Sequence, residues 1–225
     1  MSGVWMKKSC SPPAVGKPGR EMKIGVLALQ GDFEAHLKML MRCEVEAIAV
    51  RQAAEITEID GLIVPGGEST AIGKLADLFE LTEPIRNRVQ NGMPLFGTCA
   101  GLIWMAREIE GSDQPLLGLL DVTVARNAFG RQVDSFEADI PMPLLGDRPL
   151  RAVFIRAPYV LQAGEGVQVL ARYEDKIVCV QEGNLLGAAF HPELTSDERL
   201  HRHFLGMVEI TMKGKAPHHL GYKAR

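Results

Sequence analysis

Residues 96–102 read Phe96-Gly97-Thr98-Cys99-Ala100-Gly101-Leu102, and the cysteine at their centre is a residue around which covalent chemistry can be organised. The apolar run Pro94-Leu95-Phe96 predicts a buried strand and the segment from Cys99 to Glu108 predicts a helix, so Cys99 falls at a strand-to-helix turn. In a G-x-C-x-G sequence the glycines let the chain bend sharply and let another segment come close, while the central side chain is pushed out over the strand end. The free N–H groups and dipole of the helix start favour a thiolate at that place. The pentapeptide alone leaves a second reading open, in which Cys99 is one more buried small hydrophobe.

A thiolate nucleophile needs a base, usually a histidine oriented by a carboxylate. Of six histidines, His218 and His219 lie in a polar tail and His36, His201 and His203 on predicted helices, where a solvated or partly buried structural role is expected. His191 differs, because it closes a strand, precedes Pro192, and has Glu193 two residues on. In an extended segment residues i and i+2 point the same way, so Glu193 could accept from one ring nitrogen while the other faces Cys99. A Cys99-His191-Glu193 triad would perform acyl transfer through a thioester, as amide or ester hydrolysis requires. The oxyanion formed on the way needs two donors: the N–H of Ala100 and an N–H of the Gly66-Gly67 turn, at Gly67, are the candidates. That turn also reads as a tight loop followed by a Ser/Thr helix cap. Phosphate cradling is disfavoured, since no lysine follows the glycines and no G-x-G-x-x-G follows the first strand.

The elements that must hold these residues follow from the patterning. Lys23–Leu29 predicts a first strand, followed by a helix with Phe33, His36, Leu37 and Leu40 on one face and Asp32 as its N-cap. Strands at 44–50 and 59–64, helices at 70–79 and 83–90, and the strand and helix of the elbow continue the alternation. Strands alternating with helices predict a mostly parallel sheet covered on both faces, with ligands beyond the carboxyl ends of the strands, where both Gly66-Gly67 and Cys99 fall. After Gly111 short strand-like runs at 122–125, 134–140, 150–155, 168–173, 176–181 and 185–190 are separated by turn residues. Antiparallel pairing is expected in this half, so the sheet is mixed, and a terminal helix is expected over 196–212. Residues 1–21 carry Pro, Gly and Lys without hydrophobic period and read as a disordered N-terminal extension or an artefact, leaving one domain over 22–213 and a tail over 214–225.

Composition excludes several classes. A formal net charge of −3 gives no nucleic-acid footprint and no polybasic membrane surface, and no apolar run reaches the roughly 20 residues that span a bilayer. Cys10, Cys43, Cys99 and Cys179 show neither C-x-x-C spacing nor a neighbouring histidine at metal-ligand interval, so neither a zinc site nor a disulfide scaffold is expected and a reducing, cytoplasmic setting is. Cys43 and Cys179 read as core residues.

Seven stretches in order carry a resemblance: Leu29-Gln30-Gly31, Pro65-Gly66-Gly67-Glu68-Ser69-Thr70, Gly97 to Leu102, Arg126-Asn127, Phe129 to Glu137, Phe154-Ile155-Arg156-Ala157-Pro158 and Phe190-His191-Pro192-Glu193-Leu194. Together they resemble the glutaminase subunits of pyridoxal 5'-phosphate synthase, a branch of the class I glutamine amidotransferases. The resemblance implies a three-layer α/β, flavodoxin-like fold, and it implies Cys99 as nucleophile, His191 as base and acid, and Glu193 as its orienter. It further implies that Gly67, Glu68, Ser69, Arg126, Ile155 and Arg156 bind glutamine, which suits a zwitterion that needs a cation at its carboxylate and acceptors at its ammonium group. The implied reaction is L-glutamine plus water to L-glutamate plus ammonia, with no cofactor and with the ammonia passed to a synthase subunit in a ring-shaped core. Two alternatives remain: the glutaminase half of another amidotransferase, such as imidazole-glycerol-phosphate synthase, or a redox-sensing protein on the same fold with Cys99 as an oxidisable thiol.

Overall fold

The computed structural model describes residues 21–126 and 135–214 of the 225-residue chain. The proposed N-terminal extension and C-terminal tail, apart from Glu21 and Gly214, lie outside the described residues, as do Asn127 to Asp134 and Cys10. Among the described residues no helix is long and apolar enough to cross a membrane.

The apolar runs of the first half become strands β1 (Lys23–Leu27), β2 (Glu46–Val50), β3 (Gly61–Val64) and β4 (Leu95–Thr98). Every residue of β3 and β4 is buried, the pattern of strands that need cover on both faces. The cover is α1 (Phe33–Arg42), α2 (Ser69–Leu78), α3 (Thr82–Gln90), α4 (Ala100–Met105) and the terminal α5 (Arg199–Met212). Asp32 caps α1 as expected, accepting from the Ala35 N–H at 3.3 Å.

Strand β4 shows how the layers divide. Phe96 packs edge-on to His36 and His201 and against Phe204, and the Thr98 hydroxyl reaches His36, so one face looks at α1 and α5. A Cβ on Gly97 would lie 2.5 Å from Met105 Sδ, so the other face looks at α4. Three layers result, with the sheet in the middle.

The second half supplies β5 (Ala106–Ile109), β6 (Leu120–Ala125), β7 (Ser135–Ile140), β8 (Leu150–Ile155), β9 (Tyr159–Ala163), β10 (Gln168–Tyr173), β11 (Lys176–Glu182) and β12 (Leu185–Ala188). The main sheet runs β2-β1-β3-β4-β12-β11-β9-β6-β5, with β10 beside β11. Pairing is parallel from β2 to β12, antiparallel from β12 to β6, and parallel again between β6 and β5. The mixed sheet is therefore as anticipated. β7 and β8 form a separate antiparallel pair, held to the main body by Phe136 and Phe154, which stack at 4.7 Å and meet Tyr173 and Phe190.

Two strands, and among the boundaries the end of the elbow helix, differ from expectation. The elbow helix ends at Met105 rather than Glu108, because Ala106 turns to an extended ψ of 152° and the chain pairs with β6 as an edge strand. β9 was hidden behind Pro158 in a stretch with only Val160 fully buried, since its neighbours supply the pairing that its own sequence does not advertise.

Candidate active site

Cys99 sits between β4 and α4 with φ 47° and ψ −103°, a conformation that costs a non-glycine residue about 1–3 kcal/mol. The surroundings hold it there. Its N–H donates to the Ala188 carbonyl at 2.8 Å, tying the elbow to the end of β12. A Cβ on Gly101 would lie 2.2 Å from the Val64 carbonyl oxygen, so only glycine lets α4 start this close to the end of β3. Ala100 is the first residue of α4, and N–H groups of a first helical turn have no acceptor within the helix.

His191 reaches Cys99 from the far end of β12. Its N–H donates to the Val153 carbonyl of β8 at 2.8 Å, and its Nδ1 lies 2.7 Å from Glu193 Oε1. The expected pairing of His191 with Glu193 is present, but the expected extended segment is not. Pro192–Leu194 forms a single 3-10 turn, favoured by proline at its first position, and the turn folds Glu193 back onto the ring. The ring rests on Gly66, where a Cβ would lie 2.3 Å from Cε1, so the glycine turn and the histidine share one site.

Electrostatics follow from burial and neighbours. Burial alone would pull the His191 pKa down, but hydrogen bonds to the Cys99 sulfur and to Glu193, together with their charges, push it up to about 10. Burial also opposes ionisation of Glu193, yet the neighbouring imidazoles of His36 and His191 and the His191 hydrogen bond hold its pKa below the usual carboxylate value. The carboxylate and the sulfur on either side of the ring both favour its protonated form.

Below this pair lies a polar chain that the sequence did not announce. His36, with no exposed surface, places Nε2 3.1 Å from Thr98 Oγ1 and 3.4 Å from Glu193 Oε2, and Nδ1 3.0 Å from His201 Nε2. His201 is equally buried. The solvated or partly buried role expected of both histidines is therefore corrected to full burial. His203, half-buried, pairs with Gln181 at 2.8 Å, and His218 and His219 lie outside the described residues.

The residues expected to bind substrate fall into two groups around the elbow. The Ile155 carbonyl lies 3.8 Å from Cys99 Sγ, and Arg156 follows with φ 44°, exposed. On the other side Gly67, at φ 153°, packs on the Gln30 amide, whose Oε1 accepts the Glu68 N–H at 2.8 Å. The cap of α2 is neither serine nor threonine: Glu68 accepts from the N–H groups of Thr70 and Ala71 at 3.0 and 2.6 Å. Ser69 is buried, and Arg126 is exposed.

Gln114 joins these residues and was missed. Its Oε1 accepts from Ser69 Oγ at 3.2 Å, Thr70 Oγ1 at 3.0 Å and Arg126 Nη1 at 3.0 Å. Gln114 lies in a loop with no periodic pattern, and nothing in sequence pointed to it. His36 did carry a signal, since it occupies a face of α1 with Met39 and Leu40, where a polar side chain must find a partner. Cys43 and Cys179 are buried free thiols as expected, with burial pushing Cys179 up to about 12.

This geometry can be set beside known proteins. The model of the SNO glutamine amidotransferase family matches residues 26–210. The chain is 59% identical over 184 residues to a Pelotomaculum thermopropionicum protein named pyridoxal 5'-phosphate synthase subunit PdxT, covering 82% of this chain and 94% of the relative. A Geobacillus thermodenitrificans protein of the same name is 50% identical over 188 residues, covering 84% and 96%. A crystal structure described as a glutamine amidotransferase superposes with a TM-score of 0.80 at 52% identity, covering 83% of this chain and 98% of that one. PurLQS from Thermotoga maritima, at 16% identity and a TM-score of 0.63, shares the fold. With the elbow, its histidine and the glycine turn all inside the matched span, the chain belongs to the SNO glutamine amidotransferase family.

Proposed function

We propose that the chain hydrolyses L-glutamine to L-glutamate and ammonia and hands the ammonia to a pyridoxal 5'-phosphate synthase subunit, with Cys99, His191 and Glu193 as the triad. The observation that carries this reading is the buried run from the Cys99 sulfur through His191 to Glu193, at the strand ends where Gly66 and Ile155 also converge. The names of relatives at 50–59% identity support glutamine as substrate and pyridoxal 5'-phosphate synthesis as the destination, rather than the imidazole-glycerol-phosphate alternative. A redox sensor would need neither His191 nor Glu193.

Cys99 Sγ attacks the side-chain amide carbon of glutamine. The carbonyl oxygen takes the negative charge, and the N–H groups of Ala100 and Gly67 receive it. His191, protonated at rest, already holds the proton that the departing ammonia needs, so the C–N bond breaks and a γ-glutamyl thioester remains. His191, now neutral, takes a proton from water as the water adds to the thioester. Collapse releases glutamate and restores the Cys99–His191 pair. Glu193 keeps the ring in one tautomer and orientation throughout. Glu68 is the acceptor near the substrate ammonium and Arg126 the cation for its carboxylate, with Ser69, Ile155 and Arg156 completing the pocket.

The partner is the synthase subunit, in an assembly whose core is a ring. Cytoplasmic location fits the buried thiols Cys43, Cys99 and Cys179, all reduced. The test is ammonia release with and without the synthase subunit, for the wild type and for Cys99→Ala: activity requires the partner and the cysteine, and activity retained by Cys99→Ala overturns the assignment.

A further inference from the structure

One oxygen of the proposed orienting carboxylate has no conventional partner. Glu193 Oε1 receives His191 Nδ1, but Oε2 is buried and makes no hydrogen bond, and the donor-capable atom facing it is His36 Nε2 at 3.4 Å. A buried carboxylate oxygen without a donor is costly, so what His36 presents to it decides how firmly Glu193 is held.

The tautomer of His36 follows from counting hydrogens along the chain. If Nε2 carries the proton, it serves Thr98 Oγ1 and Glu193 Oε2 together, and the bare Nδ1 accepts from His201 Nε2–H. His201 Nδ1, buried and without a partner, is then an unprotonated nitrogen, the less expensive kind of orphan. If Nδ1 carries the proton instead, a lone pair of His36 faces the Glu193 carboxylate and the buried His201 Nδ1 becomes an N–H with nothing to donate to. The Glu193 carboxylate and His201 Nδ1 both favour the first arrangement, and the Thr98 hydroxyl serves either. Burial keeps both imidazoles neutral: it is the largest influence on each and lowers both pKa values, that of His201 to about 3.

We propose that His36 is a positioning residue of this site: as the neutral Nε2–H tautomer, fixed by His201, it holds the second oxygen of Glu193 and thereby the ring of His191. The helix α1, the strand end at Thr98 and the terminal helix α5 are thus coupled to the base through hydrogen bonds that meet at His36 and its 3.4 Å contact with Glu193. The inference rests on the glutaminase reading above. Its consequence is a pH effect. The groups facing Glu193 are His191 beside it, His36 from α1 and His201 from α5, with Asp32 and Arg42 acting on those histidines from the ends of α1. A carboxylate that loses a donor is harder to ionise, so loss of His36 raises the pH at which Glu193 is protonated and moves the acid limb of the rate profile upward.

The experiment measures kcat and KM for glutamine against pH, with the synthase subunit present, for wild type, His36→Leu and His36→Gln, alongside nitrogen-15 histidine spectra of the wild-type full chain. Leucine fills the space without donating, and the glutamine amide can donate near the place of Nε2. His36→Leu is expected to lose about ten-fold or more in kcat, a fraction of the roughly 100- to 10,000-fold that a positioned base supplies, with KM unchanged. Its acid limb moves up by about one pH unit, as loss of a polar contact worth the lower end of a hydrogen bond to a charged group implies. His36→Gln restores both the rate and the limb. The spectra show His36 and His201 neutral and protonated at Nε2. A folded His36→Leu with wild-type kcat and acid limb overturns the proposal, as does an equal loss in both variants. If His36→Leu does not fold, a His36 protonated at Nδ1 in the wild type overturns it by itself. A wild type that releases no ammonia with its synthase subunit counts against the glutaminase reading, while the spectra still judge the tautomer.

Discussion

His191 Nδ1 lies 2.7 Å from Glu193 Oε1 although one proline alone separates the two residues. The pair is therefore built by a local turn, Pro192–Leu194, and the only long-range requirement is that β12 deliver it beside Cys99. That delivery comes from parallel pairing of β12 with β4, which sets Ala188 opposite Thr98 and so brings the ends of both strands to the same edge. Gly66, the residue on which the ring rests, belongs to the loop after β3, the other neighbour of β4. Three strand ends side by side thus present the sulfur, the imidazole and the glycine turn to one another.

Glu193→Gln is expected to lower the pH at which His191 loses its proton. The Glu193 hydrogen bond and charge are among the influences that push His191 up to about 10, and a neutral amide removes the charge. Below that pH the ring carries the proton required by departing ammonia, so the basic limb of kcat/KM moves down towards neutrality in the variant. Rate profiles with the synthase subunit present, or direct titration of His191 by NMR, measure the shift. An unmoved limb would show that Glu193 does not govern the ring.

A second prediction concerns strain at the elbow. Cys99 has φ 47° and ψ −103°, where a side chain costs about 1–3 kcal/mol and glycine far less. Cys99→Ala and Cys99→Gly both remove the sulfur and both are expected to be inactive. Cys99→Gly should nonetheless be the more stable of the two by about 1 kcal/mol, the relief of strain outweighing the roughly 0.5–1 kcal/mol that glycine costs in unfolded-chain entropy. Urea unfolding midpoints decide the order, and an alanine variant more stable than the glycine one by about 0.5–1 kcal/mol would mean the elbow is unstrained.

A third prediction is acid sensitivity set by buried histidines rather than carboxylates. The His201 pKa is lowered by burial to about 3, below its ordinary 6.5. A depressed pKa means that the unfolded chain binds the proton first, so the stability conferred by the neutral ring is fully present above about 6.5 and falls as pH drops through that value. Between pH 6.5 and 5 this single group should cost about 1.5 kcal/mol, and His36 and His203, also lowered, steepen the loss. Over this window His191, already protonated in the fold while the unfolded chain still gains its proton, opposes the loss by only about 0.4 kcal/mol. His201→Leu should flatten the slope of unfolding free energy against pH, whatever its offset, and a slope equal to wild type would contradict the burial argument.

The legible and illegible parts of this chain divide by the distance over which their causes act. The elbow, the glycine turn and His191-Pro192-Glu193 could be found because each is a short sequence whose residues act on their neighbours. The first-half alternation was readable because β3 and β4 are buried along their whole length, and buried strands must be apolar. β5 and β9 were not, since Arg107 and Glu108 or Leu161 and Gln162 face outward and only pairing, with β6 for β5 and with β6 and β11 for β9, makes them strands. The line from Glu193 to His36 to His201 joins residues 157 and 165 positions apart. Only the lone polar residue on the buried face of α1 hinted at it.

Gln114 supplies the last prediction, because it lies between two sets of proposed substrate contacts without belonging to either sequence motif. A single oxygen receives Ser69 and Thr70 from the start of α2 and Arg126 from the end of β6, so it fixes the distance between the glycine-turn side of the pocket and the guanidinium. Gln114→Ala frees Arg126 and leaves the buried Ser69 hydroxyl without that acceptor. Loss of one hydrogen bond involving a charged group is worth roughly 1.5–3 kcal/mol, which at its lower end is about ten-fold in binding. KM for glutamine should therefore rise about ten-fold while kcat stays within about two-fold, the signature of binding lost equally from ground and transition states. Because Gln114 touches neither Cys99 nor His191 in the hydrogen-bond network, the limbs of the pH profile should not move. An unchanged KM would show that the guanidinium is placed by something other than this tether, and a fall in kcat alone would put Gln114 in the chemistry rather than in the grip on the substrate.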